Sequence, residues 1–138
     1  MTNSEVIFIQ KLRNSGLRPT KQRIKICEVL FNRDKTFHFS INDLMKIIQT
    51  KVNGKISLAT VYNTVHAFKK KGYLKEIHIG NDMSYFDTNT KSHHHFYDKE
   101  TNELIDIKSE EVEIKKTPTP PSGKKIDQIE VILKVSRE

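Results

Sequence analysis

Residues 57–87 read SLATVYNTVHAFKKKGYLKEIHIGNDMSYFD. In the first half, Leu58, Val61, Val65 and Phe68 recur at helical spacing, the mark of an amphipathic helix with one apolar side. Ser57 stands where helices favour a capping hydroxyl, and Gly72 follows Lys71 where they favour glycine. Beyond Gly72 the period changes to two. Leu74 to Ile79 alternates, Gly80-Asn81-Asp82 is a turn signal, and Met83 to Asp87 alternates again, which predicts a β-hairpin.

Upstream of this stretch the spacing predicts three more helices. Ser4 to Asn14 places Ile9 and Leu12 on a stripe completed by Val6 or Phe8, with Gly16 as the stop. Thr20 can cap a second helix whose inner face carries Ile24, Cys27, Leu30 and Phe31. A third begins at Ser40, with Asp43 at the capping-box position and Leu44, Ile47 and Ile48 turned inward. Three short helices followed by a two-stranded wing make a winged helix-turn-helix domain, here with an extra leading helix. This domain is expected over residues 1–87, with the wing at about 74–87.

Residues 88–138 read differently. His94 to Tyr97 and Glu103 to Ile107 are strand candidates joined by the polar turn Asp98 to Asn102, and Ser109 to Lys116 is ambiguous. The run Thr117-Pro118-Thr119-Pro120-Pro121-Ser122-Gly123 cannot be helix interior or central strand. Ile126 to Val135 alternates through Ile129, Val131, Leu133 and Val135 and predicts a long strand. The expectation is an α+β chain, a winged helix-turn-helix followed by a small α/β dimerisation domain. A strand-rich unit this small with an unpaired edge invites a second copy, making a homodimer.

The 138 residues carry a net charge of +7. Residues 1–80 hold 15 Lys/Arg against 5 Asp/Glu, whereas residues 81–138 hold 9 against 12. A basic front half points to a polyanionic partner, with an ordinary lysine-rich surface as the plainer alternative. No run reaches the length of a membrane span, and Met1 to Gln10 lacks the pattern of a secretory signal. One cysteine excludes a disulfide framework or a four-cysteine structural zinc within one chain. Cys27 reads as a small buried hydrophobe. A cytoplasmic protein with no membrane partner is expected.

The outward positions of the 57–71 helix, Ala59, Thr60, Tyr62, Asn63 and His66, are short or hydrogen-bonding. Such side chains reach base edges and thymine methyls in a major groove. Ser57 at the helix start could hold a phosphate. Arg18, Lys21, Arg23 and Lys25, with Lys69 to Lys71, would contact the sugar-phosphate backbone.

A second constellation gathers around His93-His94-His95. On a strand, His93 and His95 share one face and His94 points to the other. Asp87 lies before the run, Asp106 lies across the next hairpin, and His38 sits in Phe37-His38-Phe39-Ser40. Taken singly, His38 reads more readily as a satisfied helix-start histidine, and only the pattern of all five residues makes it a ligand candidate. Three imidazoles with two carboxylates form a mixed set suited to Fe²⁺, Mn²⁺, Zn²⁺ or Co²⁺. A metal-dependent hydrolase is the alternative from another class, but no further carboxylate near the cluster is placed as a general base. An enzyme is therefore not expected.

With the helix order, these motifs carry a family resemblance. Gly16-Leu17-Arg18-Pro19-Thr20 with Gln22-Arg23, the stretch Ile56 to Asn63, Phe86-Asp87, His93-x-His95 and Ile105-Asp106 are similar to the ferric uptake regulator (Fur) family of bacterial metal-responsive repressors. The resemblance covers nearly the whole chain. It implies that His38, Asp87, His93, His95 and Asp106 hold one regulatory divalent metal that clamps the two domains of a dimer. It also implies that Tyr62 and Asn63 face the major groove of an AT-rich inverted repeat in double-stranded DNA, with Arg18 near a minor groove.

The triple histidine, the 104–107 strand and the Pro-Pro-Ser-Gly run resemble the iron response regulator (Irr) branch. That branch controls iron and haem metabolism and senses haem directly or through the haem-synthesising enzyme. The resemblance makes His93, His94 and His95 haem candidates. A peroxide sensor, in which iron at the same site oxidises a ligand histidine, has the same ligands. Two departures stand out. The positions of a usual structural-zinc Cys-x-x-Cys pair read Asp98 and Thr101, and Cys27 is followed by Glu28 rather than the proline of a haem regulatory motif.

Overall fold

A computed structural model of the chain describes residues 2–80 and 82–138. It divides into two compact units, Met1–Thr90 and Lys91–Glu138. Asn81, the middle of the expected wing turn, lies outside the described residues.

The first unit contains α1 (Asn3–Asn14), α2 (Lys21–Phe31), β1 (His38–Phe39), α3 (Ile41–Lys51), α4 (Leu58–Lys71), β2 (Lys75–Gly80) and β3 (Met83–Asp87). Each helix starts on a side-chain cap. Thr2, Thr20, Ser40 and Ser57 accept from the amides of Glu5, Arg23, Asp43 and Thr60, and Ser40 with Asp43 completes a capping box. Gly72 ends α4 at φ 93°, a left-handed conformation that costs glycine little.

The core joins Phe8 and Leu12 of α1, Ile26, Cys27 and Leu30 of α2, Leu44 and Ile48 of α3, and Val61, Val65 and Phe68 of α4. Burial refines the inward faces and overturns one position, Leu58. Phe8, not Val6, completes the α1 stripe, and Val6 is 53% exposed. Ile26 is buried, whereas Ile24 and Phe31 are only partly covered. Leu58 is 56% exposed, because it follows directly on the cap and its side of α4 faces outward. Thr64 takes the buried place one turn further on, and its hydroxyl donates to the Thr60 carbonyl at 2.7 Å. Burial pushes the Cys27 thiol up to about 12, as a packing residue would require.

The wing has a third strand that the sequence did not announce. The order is β1-β3-β2, all antiparallel, with His38 opposite Asp87 and Phe39 opposite Phe86. Phe39 stacks on Phe86 at 5.7 Å, so an aromatic pair anchors a strand too short to signal itself by alternation.

The second unit contains β4 (His94–Asp98), β5 (Glu103–Ile107), a single 3₁₀ turn at Ser109–Glu111, and β6 (Ile132–Val135). The sheet order is β5-β4-β6, with β4 and β5 antiparallel and β4 and β6 parallel. Asn102 at φ 60° closes the β4–β5 hairpin, where its side chain accepts from the Tyr97 hydroxyl at 2.9 Å. The expected strand from Ile126 is shorter than predicted. Its ladder needs β4 as partner, and β4 begins only at His94, opposite the residue before Ile132.

These burial assignments predict a stability contrast. Phe68→Ala should cost about 3–5 kcal/mol in urea unfolding, whereas Leu58→Ser should stay within about 0.5 kcal/mol of the parent.

Candidate functional site

In the first unit, α4 presents two opposite faces. Val61, Thr64, Val65 and Phe68 are buried, while Leu58, Ala59, Tyr62 and Asn63 are exposed. Tyr62 stacks on His66 with ring centroids 4.1 Å apart, and His66 meets the edge of Phe86 in the wing. The outward face is therefore uncharged and held in shape by ring contacts. Leu58 belongs to it, and its place directly after the Ser57 cap was the signal.

Other predicted nucleic-acid residues divide by their local bonds. Arg18 and Lys21 are exposed. Arg23 is partly covered, and its Nη1 donates to the Arg18 carbonyl at 3.0 Å, so it also braces the turn that carries Arg18. The Ser57 oxygen accepts the Thr60 amide and lies 2.9 Å from the Thr60 hydroxyl. Both hydroxyls serve the helix start.

At the far end of α4, Lys69 reaches the nearly buried Glu76 of β2 at 2.6 Å. Burial alone would raise the Glu76 pKa. Hydrogen bonds from Lys69 and Ser84, with the Lys69 charge, outweigh it and hold the carboxyl below its ordinary value. This pair ties the helix to the wing.

The ligand candidates form a local group in each unit. In the first, His38 Nε2 lies 3.1 Å from Asp87 Oδ2, across the β1–β3 pairing. Asp87 is fully buried, and its other oxygen accepts the Asn89 amide at 2.8 Å. In the second, His95 stands directly opposite Asp106 on β5. His93 Nε2 and His95 Nε2 lie 3.1 and 3.2 Å from the same oxygen, Asp106 Oδ1. The two rings are 4.4 Å apart at their centroids, so they share a face as strand geometry requires.

His93 shows what this second group wants. Its Nδ1 lies 2.6 Å from the Lys91 carbonyl, which can only accept, so Nδ1 carries the hydrogen. In the neutral ring Nε2 is then a lone pair aimed at a carboxylate oxygen. Two acceptors at that separation need a cation between them, a proton or a metal ion. The donor set of two imidazoles and a carboxylate fits a divalent transition metal.

His94 points the other way and does a different job. Its Nδ1 accepts the Val131 amide at 3.0 Å, while the His95 amide donates to the Val131 carbonyl at 3.1 Å. Val131 is thus tied to β4 through both its N–H and its carbonyl, just before β6 begins. In the β4–β5 turn, Asp98 Oδ1 accepts from the Glu100 and Thr101 amides, so this turn is closed by its own side chain.

Residues 14–134 match the Ferric uptake regulator family. The chain belongs to that family. It is 33% identical over 99 residues to the Peroxide operon regulator of Bacillus subtilis (strain 168), covering 72% of this chain and 66% of that protein. The Peroxide-responsive repressor PerR of Staphylococcus epidermidis is 32% identical over 99 residues, and the match spans 64% of its length. The Ferric uptake regulation protein of Synechococcus elongatus is 31% identical over 114 residues, covering 81% of this chain and 77% of that one.

Among solved structures, the chain is similar to the ferric uptake regulator of Pseudomonas aeruginosa with manganese. The TM-score is 0.68 at 22% identity, covering 96% of this chain and 98% of that one. The Vibrio cholerae ferric uptake regulator gives 0.70 at 22%, covering 94% and 98%. At this identity the likeness speaks for the fold. Among the described residues, no helix is long and apolar enough to cross a membrane.

The Glu76 tie has a testable sign. A carboxyl depressed in the folded state stabilises it above the unfolded pKa, and that contribution is lost as pH falls through the folded value. Glu76→Gln should therefore lower the urea midpoint near neutrality, and its deficit should vanish at about pH 2.

Proposed function

We propose that this chain is a homodimeric, cytoplasmic, metal-responsive transcription regulator that binds an AT-rich inverted repeat in double-stranded DNA, and not an enzyme. The observation that carries the reading is the exposed, uncharged face of α4, Leu58-Ala59 and Tyr62-Asn63, on a capped helix whose opposite face is core. Asn63 offers the two-way amide that suits adenine, while Leu58 and Ala59 suit thymine methyls. Arg18 and Lys21, with exposed Lys70 and Lys71, supply phosphate contacts.

The dimer reading rests on the second unit's thin core. Among its described residues, Tyr97, Leu104 and Ile107 are the buried hydrophobics, whereas Ile105, Ile114, Ile126, Ile129 and Leu133 stay exposed. A unit this small with more large apolar side chains outside than inside wants a partner surface.

In this reading, His38 and Asp87 from one unit and His93, His95 and Asp106 from the other are ligands of a single divalent ion. The domain division proposed with it is a DNA-binding part at 1–87 and a metal-binding and dimerisation part at 88–138. When bound, the ion supplies positive charge that neutralises two carboxylates and favours the conformation in which all five residues meet. The protein's own part is to keep Asp87 and the imidazoles pre-aimed.

Two finer outputs share these ligands. Control of iron and haem metabolism, by haem itself or through the haem-synthesising enzyme, is supported by the resemblance of the histidine run to the iron response regulator branch. Peroxide sensing is supported by the names of the 33% and 32% identical relatives, and we favour it. His93, His94 and His95 are all buried, and His94 Nδ1 already holds β6, so haem ligation would have to dismantle the strand edge.

Binding to an inverted-repeat duplex should fall steeply with salt. Asn63→Ala should cost about 1–3 kcal/mol and relax sequence preference, whereas Lys70→Ala should weaken all duplexes alike. Equal binding of scrambled DNA by the parent chain would refute the regulator reading. For the finer output, iron with peroxide should add one oxygen atom to His38 or His93 by mass spectrometry. An unchanged mass, with haem weakening DNA binding instead, would favour the haem-linked branch.

A further inference from the structure

The two imidazoles that face Asp106 differ in what stands behind them. His93 donates from Nδ1 to the Lys91 carbonyl. Behind His95 stands Glu130, whose Oε1 lies 3.9 Å from His95 Nδ1. That oxygen is buried and has no hydrogen-bond partner among the described residues. A carboxylate oxygen in this position needs a donor, because desolvation without one is costly.

The backbone explains why Glu130 is where it is. Val131 follows it, and β4 holds Val131 twice: its N–H donates to His94 Nδ1 and its carbonyl accepts from the His95 amide. Those bonds fix the entry of β6 beside β4 and leave the Glu130 carboxylate facing the ring of the next strand. His94, the residue the metal group does not use, is what sets this placement.

We propose that Glu130 is a positioning residue for His95: its carboxylate accepts the Nδ1 hydrogen and so presents Nε2, as a lone pair, toward Asp106 and a divalent cation. The proposal rests on the metal reading above and adds to it a residue from β6's approach. A closing movement of about 1 Å brings the pair into hydrogen-bond range. The negative charge also makes the imidazole a better donor to a cation than a backbone carbonyl would. His93 and His95 then follow one plan, with Nδ1 donating outward and Nε2 turned to Asp106.

The test uses the full chain and Co²⁺ as probe, with Glu130→Ala, the near-isosteric Glu130→Gln and His95→Ala. Glu130→Ala should weaken Co²⁺ binding about 10–100-fold and shift the visible absorption bands of the bound ion, while Glu130→Gln, which keeps an acceptor, should lose less. Without metal, imidazole ¹⁵N spectra should show His95 with its hydrogen on Nδ1 in the parent and a mixed tautomer in Glu130→Ala, with the far-ultraviolet circular dichroism unchanged. Parent-like affinity, bands and tautomer in both Glu130 variants would overturn the assignment while leaving the metal reading intact. Failure of the parent to bind Co²⁺, or parent-like binding by His95→Ala, would remove the metal reading and Glu130's role with it.

Discussion

The register of the β4–β5 hairpin is the constraint on which the rest depends. Because His95 pairs with Asp106, two imidazoles and a carboxylate meet on one face of a three-stranded sheet. Strand side chains alternate, so a slip of one residue would turn His93 and His95 to the opposite face and bring His94 to the front. The Asp98 side chain and Asn102 at positive φ guard that register at the turn. The parallel addition of β6 guards it from the other edge, where β4 binds both the N–H and the carbonyl of Val131. The grouping of His93, His95 and Asp106 is thus a consequence of strand pairing, with no long loop required to deliver it.

The first unit applies the same economy to its own half. A strand of two residues suffices to put His38 against the fully buried Asp87, since Phe39 packs on Phe86 in the neighbouring pair. The wing strand that carries Asp87 also carries Phe86, which the α4 histidine touches edge-on. A continuous chain of contacts therefore runs from the His38–Asp87 pair to Tyr62 on the exposed face of α4. In the proposed function, metal at one end and base edges at the other would bias the same packed elements, which is the physical content of coupling between sites.

Much of this was legible in the sequence because it rests on local rules. The caps at Thr20, Ser40 and Ser57, the stop at Gly72 and the change from helical to alternating period at the wing all appear where those rules put them. The alternation of the histidine run was legible for the same reason. What escaped needed tertiary partners. Strand β1 has too few residues to alternate, and β6 starts only where its neighbour β4 has started. Leu58 fits the helical stripe by spacing, yet sits one residue past the cap on the side no element covers. Glu130 escaped entirely, because nothing near it in sequence is a histidine. Only the crossover that brings β6 beside β4 puts its carboxylate behind the His95 ring.

In the proposed function, metal and DNA bind to the same conformation of the dimer, each favouring the other. The direct measurement is the thermodynamic cycle: affinity for an inverted-repeat duplex with Mn²⁺ and with chelator, and affinity for Mn²⁺ with and without the duplex. Tighter DNA binding with metal is expected, with the same factor in the reciprocal arm, and both should be lost in Asp106→Ala. Equal DNA affinity with metal and with chelator, in a parent chain that demonstrably binds Mn²⁺, would contradict it.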